Sequence, residues 1–382
     1  MLAPTPDIQE KSSSVSTTRP AWLATLLGVL GFTLIGAGFI WLRVQHLETA
    51  KRRGLPAHPP KMDFNPLARC QAASEYTIRN GKAALRPNRR SHHEEGCRGI
   101  SPTNALVVPT TAECPFLMSV YRPSENVYDI VSNSIRIEGL WEPRESGIIE
   151  DLPENSFMVD IGANIGWHTL LALSLGHRVL AFEPFLENVK LLNHSLCMNP
   201  GFRENLELHE IALSDSSDCM LGSSSANAGD GVLLCGEEAQ KNGDHDRLSA
   251  VRVGRLDEIL KLGVQVDLIK IDVEGHELAA LRSGERLFQK RNGHTPPAYI
   301  VSEWSPKAME ALGYNPLDLL LFFADHNYQV LYRERVVDKW NLAWKRGEGT
   351  PRAEEAIPRE KFAAFLAQHR EDLLTIEAAY RG

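Results

Sequence analysis

Residues 157–184 read FMVDIGANIGWHTLLALSLGHRVLAFEP. An apolar run ends on Asp160, a turn holding Gly162 and Gly166 follows, then an amphipathic stretch, then a second apolar run that ends on Glu183 and Pro184. This pattern predicts strand, loop, helix and strand, half of a nucleotide-binding α/β unit.

The turn Gly162-Ala163-Asn164-Ile165-Gly166 is read as the ligand's cradle. Its glycines permit positive φ and a close approach to the backbone, and the next helix presents unpaired N–H groups at its start. Glu183 stands 23 positions after Asp160, at the tip of the neighbouring strand, where a carboxylate can accept both hydroxyls of an adenosine ribose. A dinucleotide fold wants glycine at 164 and 167, so that backbone can reach a pyrophosphate; Asn164 and Trp167 stand there instead. Asp160 replaces the usual apolar residue, and an acid suits a cofactor that carries an ammonium and a sulfonium. These departures select S-adenosylmethionine.

Working outward, Phe185 to Met198 reads as a helix with Val189, Leu192 and Leu196 on one face. Leu206 to Leu213 alternates as a strand and ends on Ser214-Asp215, and Asp215 to Arg247 is a polar excursion expected to be mobile near the site. Val251 to Leu262 gives a short strand and a helix start. Val266 to Asp272 and Tyr299 to Glu303 are buried strands that end on acids, as the first two do. Carboxylates at successive strand tips gather at one edge of a parallel sheet, where α/β ligands bind. Leu317 to His326 is an apolar helix, Tyr328 to Arg333 and Trp340 to Trp344 are the last strands, and Arg359 to Tyr380 has the apolar spacing of a C-terminal helix.

Four of these stretches, DIGANIGWHTL, AFEPFLENVKLLNHSL, DLIKIDVEGHELAALRSG and IVSEW, resemble the successive motifs of the FkbM-type methyltransferase family. The resemblance runs from about Ile135 to Trp344. It implies a Rossmann-like class I methyltransferase sheet with flanking helices, S-adenosylmethionine as cofactor, and a hydroxyl acceptor among glycans or secondary metabolites. It also places an adenine-side loop at Ser214 and Asp215, where a turn-capping role for Asp215 is the equal alternative. The segment Tyr128 to Leu152 is similar to the family's opening segment, with Trp141 and Glu142 either covering the cofactor pocket or packing the segment onto the sheet.

Methyl transfer to oxygen asks the protein to position an alcohol and take its proton. In IDVEGHE, Asp272, Glu274 and His276 follow a strand tip, and Gly275 lets the chain bend into a helix. His276, titrating near neutrality, is the natural base; Asp272 either orients it or holds the cofactor's amino group. Glu274 and Glu277 can equally favour the helix N-terminus. Lys270 is expected to pair with a neighbouring carboxylate. Oxygen ligands from Asp272, Glu274 and Glu303 would suit Mg²⁺, but spacing alone establishes no metal.

The net charge of −8 argues against a bulk nucleic-acid binder. Ala21 to Leu42 carries no charge over 22 residues, lies between Arg19 and Arg43, and has Trp22 and Trp41 at its edges, as a membrane span does. The domain plan is therefore a tail (1–20), a transmembrane helix (21–42), a linker and stem (43–126), the methyltransferase domain (127–346) and a C-terminal helix (347–382). Basic residues after the span point the enzyme to the cytosol, while the plan resembles Golgi-resident type II enzymes, so the side stays open. Membrane tethering favours a glycan or lipid-linked acceptor over a free metabolite. His92-His93-Glu94-Glu95 reads as a solvated loop, and no C-x-x-C occurs. Cys97 with Cys114, or Cys219 with Cys235, can close loops in an oxidising lumen, although free buried thiols are commoner in a chain this size. Two other readings compete: a membrane-bound nicotinamide oxidoreductase, which Asn164 and Trp167 oppose, and a non-catalytic module retaining the fold, which the presence of Asp160, Glu183, Asp272 and Glu274 opposes.

Overall fold

Period-two burial makes the strands. Met158 packs into one hydrophobic core while Val159 and Ile161 pack into another, and Leu268 and Ile269 divide in the same way. A strand apolar on both faces must lie in the middle of a sheet covered on both sides. The computed structural model describes residues 70, 76–79, 82–85, 97–124, 127–223, 227–229, 231–236, 247–332 and 356–382. The tail and span over 1–42, His92-His93-Glu94-Glu95 and the strand expected at Trp340 to Trp344 lie outside the described residues. Among the described residues no helix is long and apolar enough to cross a membrane.

In chain order, a small hairpin of β1 (Tyr76–Arg79) and β2 (Lys82–Leu85) and a second one of β3 (Ala105–Pro109) and β4 (Leu117–Tyr121) precede α1 (Ile130–Glu138) and α2 (Pro143–Glu150). The alternating part is β5 (Phe157–Ile161), α3 (Trp167–Ser174), β6 (Arg178–Phe182), α4 (Leu186–Met198) and β7 (Leu206–His209). Short strands follow: β8 (Ala212–Leu213), β9 (Cys219–Ser223), β10 (Gly231–Cys235), β11 (Arg247–Ala250) and β12 (Val253–Gly254). The chain then forms α5 (Leu256–Ile259), β13 (Leu268–Ile271), α6 (Glu277–Arg282), β14 (Tyr299–Trp304), α7 (Pro306–Ala311), α8 (Pro316–Asp325), β15 (Tyr328–Leu331), α9 (Phe362–Gln368) and β16 (Leu374–Tyr380).

The main sheet has seven strands in the order β15-β16-β14-β13-β5-β6-β7. Its pairs are parallel except that β16 runs antiparallel to both neighbours. From β5 the chain winds outward through β6 and β7, then returns to β13 and winds the other way. The β5/β13 boundary is thus the switch point at which open α/β sheets take their ligands.

Three expectations are corrected. The C-terminal helix is confined to α9, and Leu374–Tyr380 is a strand. Its apolar spacing fits either period, but β14 and β15 flank a slot whose backbone groups only a strand can satisfy, and Ile376 and Ala378 face one core while Ala379 faces the other. The linker and stem region does not extend to 126, because the β3–β4 hairpin belongs to the domain core. Phe116 is fully buried and its ring lies 5.6 Å from that of Trp167. The backbone of β4 is satisfied by a helix: Leu117 N–H donates to Asn199 Oδ1 (3.0 Å), Asn199 Nδ2 donates to the Leu117 carbonyl (2.7 Å), and Ser119 N–H donates to Ser195 Oγ (2.8 Å). The thiol expectation also fails. All six cysteines are paired, as Cys70–Cys114, Cys97–Cys197 and Cys219–Cys235, so of the two pairs named from sequence only the last forms.

Candidate active site

Asp160, Glu183, Asp272 and Glu303 end or follow β5, β6, β13 and β14, and the parallel register brings all four to one edge. Two hollows open there.

The first is a cleft with about 660 Å³ of empty space, part of it open to solvent. Glu183 lines it, flanked by the apolar side chains of Phe182, Ile211, Leu213, Leu221 and Leu233, which form a slot suited to a flat ring. The Glu183 carboxylate accepts from Asn164 N–H (2.7 Å) and Phe185 N–H (2.9 Å), which fix its direction and leave lone pairs for a ligand's hydroxyls. Burial pushes it up to about 7 against those hydrogen bonds. Pro184 lines the same cleft.

The cradle's glycines have the positive φ expected from the sequence, and their lack of a side chain also admits neighbouring parts of the chain. Gly162 has φ 81°, and a Cβ there would run into the Asp272 carbonyl oxygen; Gly166 has φ 95°, and a Cβ there would meet Leu192 Cδ1. Both glycines are required by chain packing against chain. Gly162 N–H and Ala163 N–H both donate to the Phe182 carbonyl (3.0 and 2.9 Å), which ties the turn to β6. Asn164, at φ 53°, accepts from Ile165 N–H through Oδ1 (2.6 Å) and donates through Nδ2 to the Gly229 carbonyl (3.3 Å). Asn188 Nδ2 donates to the same carbonyl at 2.9 Å. Asp160 is fully buried; its Oδ2 accepts from Thr169 Oγ1 at 2.6 Å, while Oδ1 has no hydrogen-bond partner among the described residues. Burial raises it, opposed by Lys270 and Thr169.

The polar excursion is an antiparallel ribbon in the order β10-β9-β11, with its described tip, 227–229, held by Asn164 and Asn188. Leu221 and Leu233 reach the cleft from it. The sequence reading missed these two; the alternation in CMLGS and GVLLC is the signal that marks them. Ser214 is buried, whereas Asp215 is exposed.

The second hollow, with about 780 Å³ of empty space open in part to solvent, is lined by Glu142, Glu145, Lys270, Asp272, Glu303 and Thr375, with Pro143, Arg144, Val301 and Leu374 nearby. Lys270 pairs with a carboxylate as expected: Nζ donates to Asp272 Oδ2 at 3.1 Å and to the Gly162 carbonyl at 3.3 Å. Burial raises Glu142, with Lys270 opposing, and burial reinforced by Asp272 raises Glu303. Asp272 lines both hollows.

Past Asp272, the loop is held by Glu277, whose Oε1 accepts from Val273 N–H and Gly275 N–H at 3.1 Å each. Burial pushes Glu277 up to about 7. Glu274, at φ 56°, is exposed and lines the first cleft. His276 also lines that cleft but is only 1 % exposed. Its Nε2 lies 3.1 Å from Ser214 Oγ and its Nδ1 lies 3.3 Å from Tyr314 Oη. Burial pushes it down to about 4, so the ring is neutral at physiological pH.

The acidic lining of the first cleft fits S-adenosylmethionine: Glu183 stands beside an apolar slot, and Asp272 and Glu274 add acid to the wall, while Asp160, whose Oδ1 has no hydrogen-bond partner among the described residues, is buried behind the turn and lines neither hollow. Residues 160–330 match the model of the Methyltransferase FkbM domain. The chain is 26% identical over 189 residues to Methyltransferase sdnD of Sordaria araneosa, an alignment that spans 42% of this chain and 71% of that one. It is 18% identical, with a TM-score of 0.33, to the solved structure of Methyltransferase FkbM from Methylobacillus flagellatus KT, over 59% of this chain and 44% of that one, so it spans less than half of that relative's length. An rRNA methylase from Streptococcus thermophilus is 12% identical, with a TM-score of 0.32, over 62% of this chain and 93% of that one.

Proposed function

We propose that the FkbM-type methyltransferase domain of this chain, which uses S-adenosylmethionine, methylates a hydroxyl oxygen of a glycan, a lipid-linked molecule or a metabolite held in the hollow between Glu142 and Glu303. The observation that carries this reading is the double placement of Asp272, in the wall of the donor cleft and in the wall of the second hollow. A transfer reaction needs such a meeting point between donor and acceptor.

When bound, S-adenosylmethionine supplies an electrophilic methyl group on its sulfonium. Glu183 would take the ribose hydroxyls, and Asp160 stands buried behind the turn, held by Thr169. Asp272 would accept the proton that the acceptor's hydroxyl gives up. His276, with both ring nitrogens engaged and almost no exposure, is assigned the closing of the donor cleft, so the proton acceptor moves from His276 to Asp272.

The three disulfides favour an oxidising compartment for this domain, because such bonds are rare in the cytosol. With the span expected at 21–42, this supports a single-pass protein whose catalytic side faces a Golgi-like lumen, against the positive-inside bias of the flanks. A tethered lumenal enzyme meets glycans and lipid-linked acceptors first. The test is to incubate the full chain with labelled S-adenosylmethionine and cellular glycan and lipid extracts, then identify products by mass spectrometry. An acceptor that gains one methyl on oxygen supports the reading; label found only on nitrogen or carbon contradicts it.

A further inference from the structure

A buried lysine in the central strand of a sheet is costly unless its charge is used. Lys270 lies in β13 between Ile269 and Ile271, which fill the opposite core, and its register partner on β5 is Asp160. The row continues through Val301 on β14 to the fully buried Glu377 on β16, so charged groups cross the middle of the sheet on one face. The Lys270 side chain is 7% exposed.

Its two hydrogen bonds join the turns on either side of the switch point: one to the Gly162 carbonyl after β5, one to Asp272 after β13. The titratable groups that face it come from every surrounding element. They are Asp160 on β5, Glu142 ahead of α2, Asp272 after β13, Glu303 on β14 and His168 on α3. Arg144, which also lines the second hollow, is paired with Glu377 at 2.9 Å. Lys270 is therefore the cation shared by four carboxyls. Burial pulls its ammonium down, but Asp272, Asp160 and Glu142 outweigh that and hold it raised.

We infer that Lys270 is a positioning residue for methyl transfer: it locks Asp272 against the Gly162 turn and lowers the cost of ionising the surrounding carboxyls when a cationic donor arrives at that edge. This rests on the methyltransferase reading. One ammonium among four carboxyls lowers the cost of ionising each without cancelling their sum. A lysine whose role is only to tie the two turns together would change stability and leave the pH dependence of donor binding unmoved.

The test measures S-adenosylmethionine affinity of the full chain against pH by calorimetry, for the wild type, Lys270→Met, Lys270→Gln and Lys270→Arg. Without the ammonium the carboxyls ionise at higher pH, so the limb on which affinity rises should move toward alkaline pH by about one unit or more in the neutral variants. Lys270→Arg, which keeps the charge, should hold the limb at its wild-type position. Lys270→Gln retains an N–H donor for Gly162 and serves if Lys270→Met does not fold. A folded neutral variant with an unmoved limb overturns the inference, as does failure of both neutral variants to fold, which would make Lys270 a strut. A wild-type chain that binds no S-adenosylmethionine removes the methyltransferase reading itself; normal binding with an unmoved limb removes only the role of Lys270.

Discussion

Cys235 Sγ lies 3.6 Å from His276 Nε2, so the Cys219–Cys235 disulfide abuts a residue that lines the first cleft. The bond also joins β9 to β10, the strands that bring Leu221 and Leu233 into that cleft. Replacing both cysteines by serine is expected to weaken S-adenosylmethionine binding about tenfold, equivalent to about 1.4 kcal/mol. Calorimetry on the double variant measures this, and a reductant titration of the wild type should reproduce it. An unchanged Kd in the double variant would show that the ribbon is held by its hydrogen bonds alone.

Asp272 and His276 should separate kinetically. Asp272→Asn keeps the shape but removes the proton acceptor, and kcat should fall about 10²-fold to 10⁴-fold. His276→Ala empties a space beside Ser214 and Tyr314, and should raise the KM for the cofactor while leaving kcat within about threefold. The reverse pattern returns the base to His276.

Burial holds Glu183, Glu277 and Glu377 at about 7, above the usual carboxylate value of 4.5. Each therefore favours the fold while protonated. That contribution is full below the unfolded value and is lost as pH rises through the folded one. The Tm of the cofactor-free protein should decline as pH rises from about 5 to about 8. A positively charged donor draws the site carboxyls toward ionisation, so the Tm gain on adding S-adenosylmethionine should grow over the same window. Thermal scans across pH check both slopes; a Tm gain that shrinks with pH contradicts the electrostatic account.

Phe116 belongs to the region that the sequence assigns to a stem, yet it packs on Trp167 at the start of α3. Phe116→Ala should cost about 3–5 kcal/mol in chemical denaturation, as emptying an aromatic site in a core does. A loss under about 1 kcal/mol would mean the hairpin docks loosely.

The parts of this fold legible in the sequence are those whose partners lie close along the chain or whose period is unambiguous. The strand from Phe157 to Ile161, its turn and the helix after it announce themselves, and acids at 160, 183, 272 and 303 mark one edge before any strand order is known. What escaped depends on distant partners. The docking of β4 rests on Ser195 and Asn199, 76 and 82 positions away from the groups they bond. Cys97 finds Cys197 across 100 positions, and spacing cannot give connectivity. The period of Leu374 to Tyr380 is compatible with helix or strand, and only the slot between β14 and β15 decides. The second hollow combines Glu142, Asp272, Glu303 and Thr375 from four separate stretches, so its residues could be named one by one but not assembled.

The proposed methyl transfer depends on an acidic sheet edge that receives a cationic methyl donor. Calorimetric titration of the full chain with S-adenosylmethionine, run beside Glu183→Ala and beside NAD, tests this most directly. Saturable one-to-one binding by the wild type, lost in Glu183→Ala and absent with NAD, is the expected result. Tight binding of NAD, with no heat from S-adenosylmethionine, would contradict it.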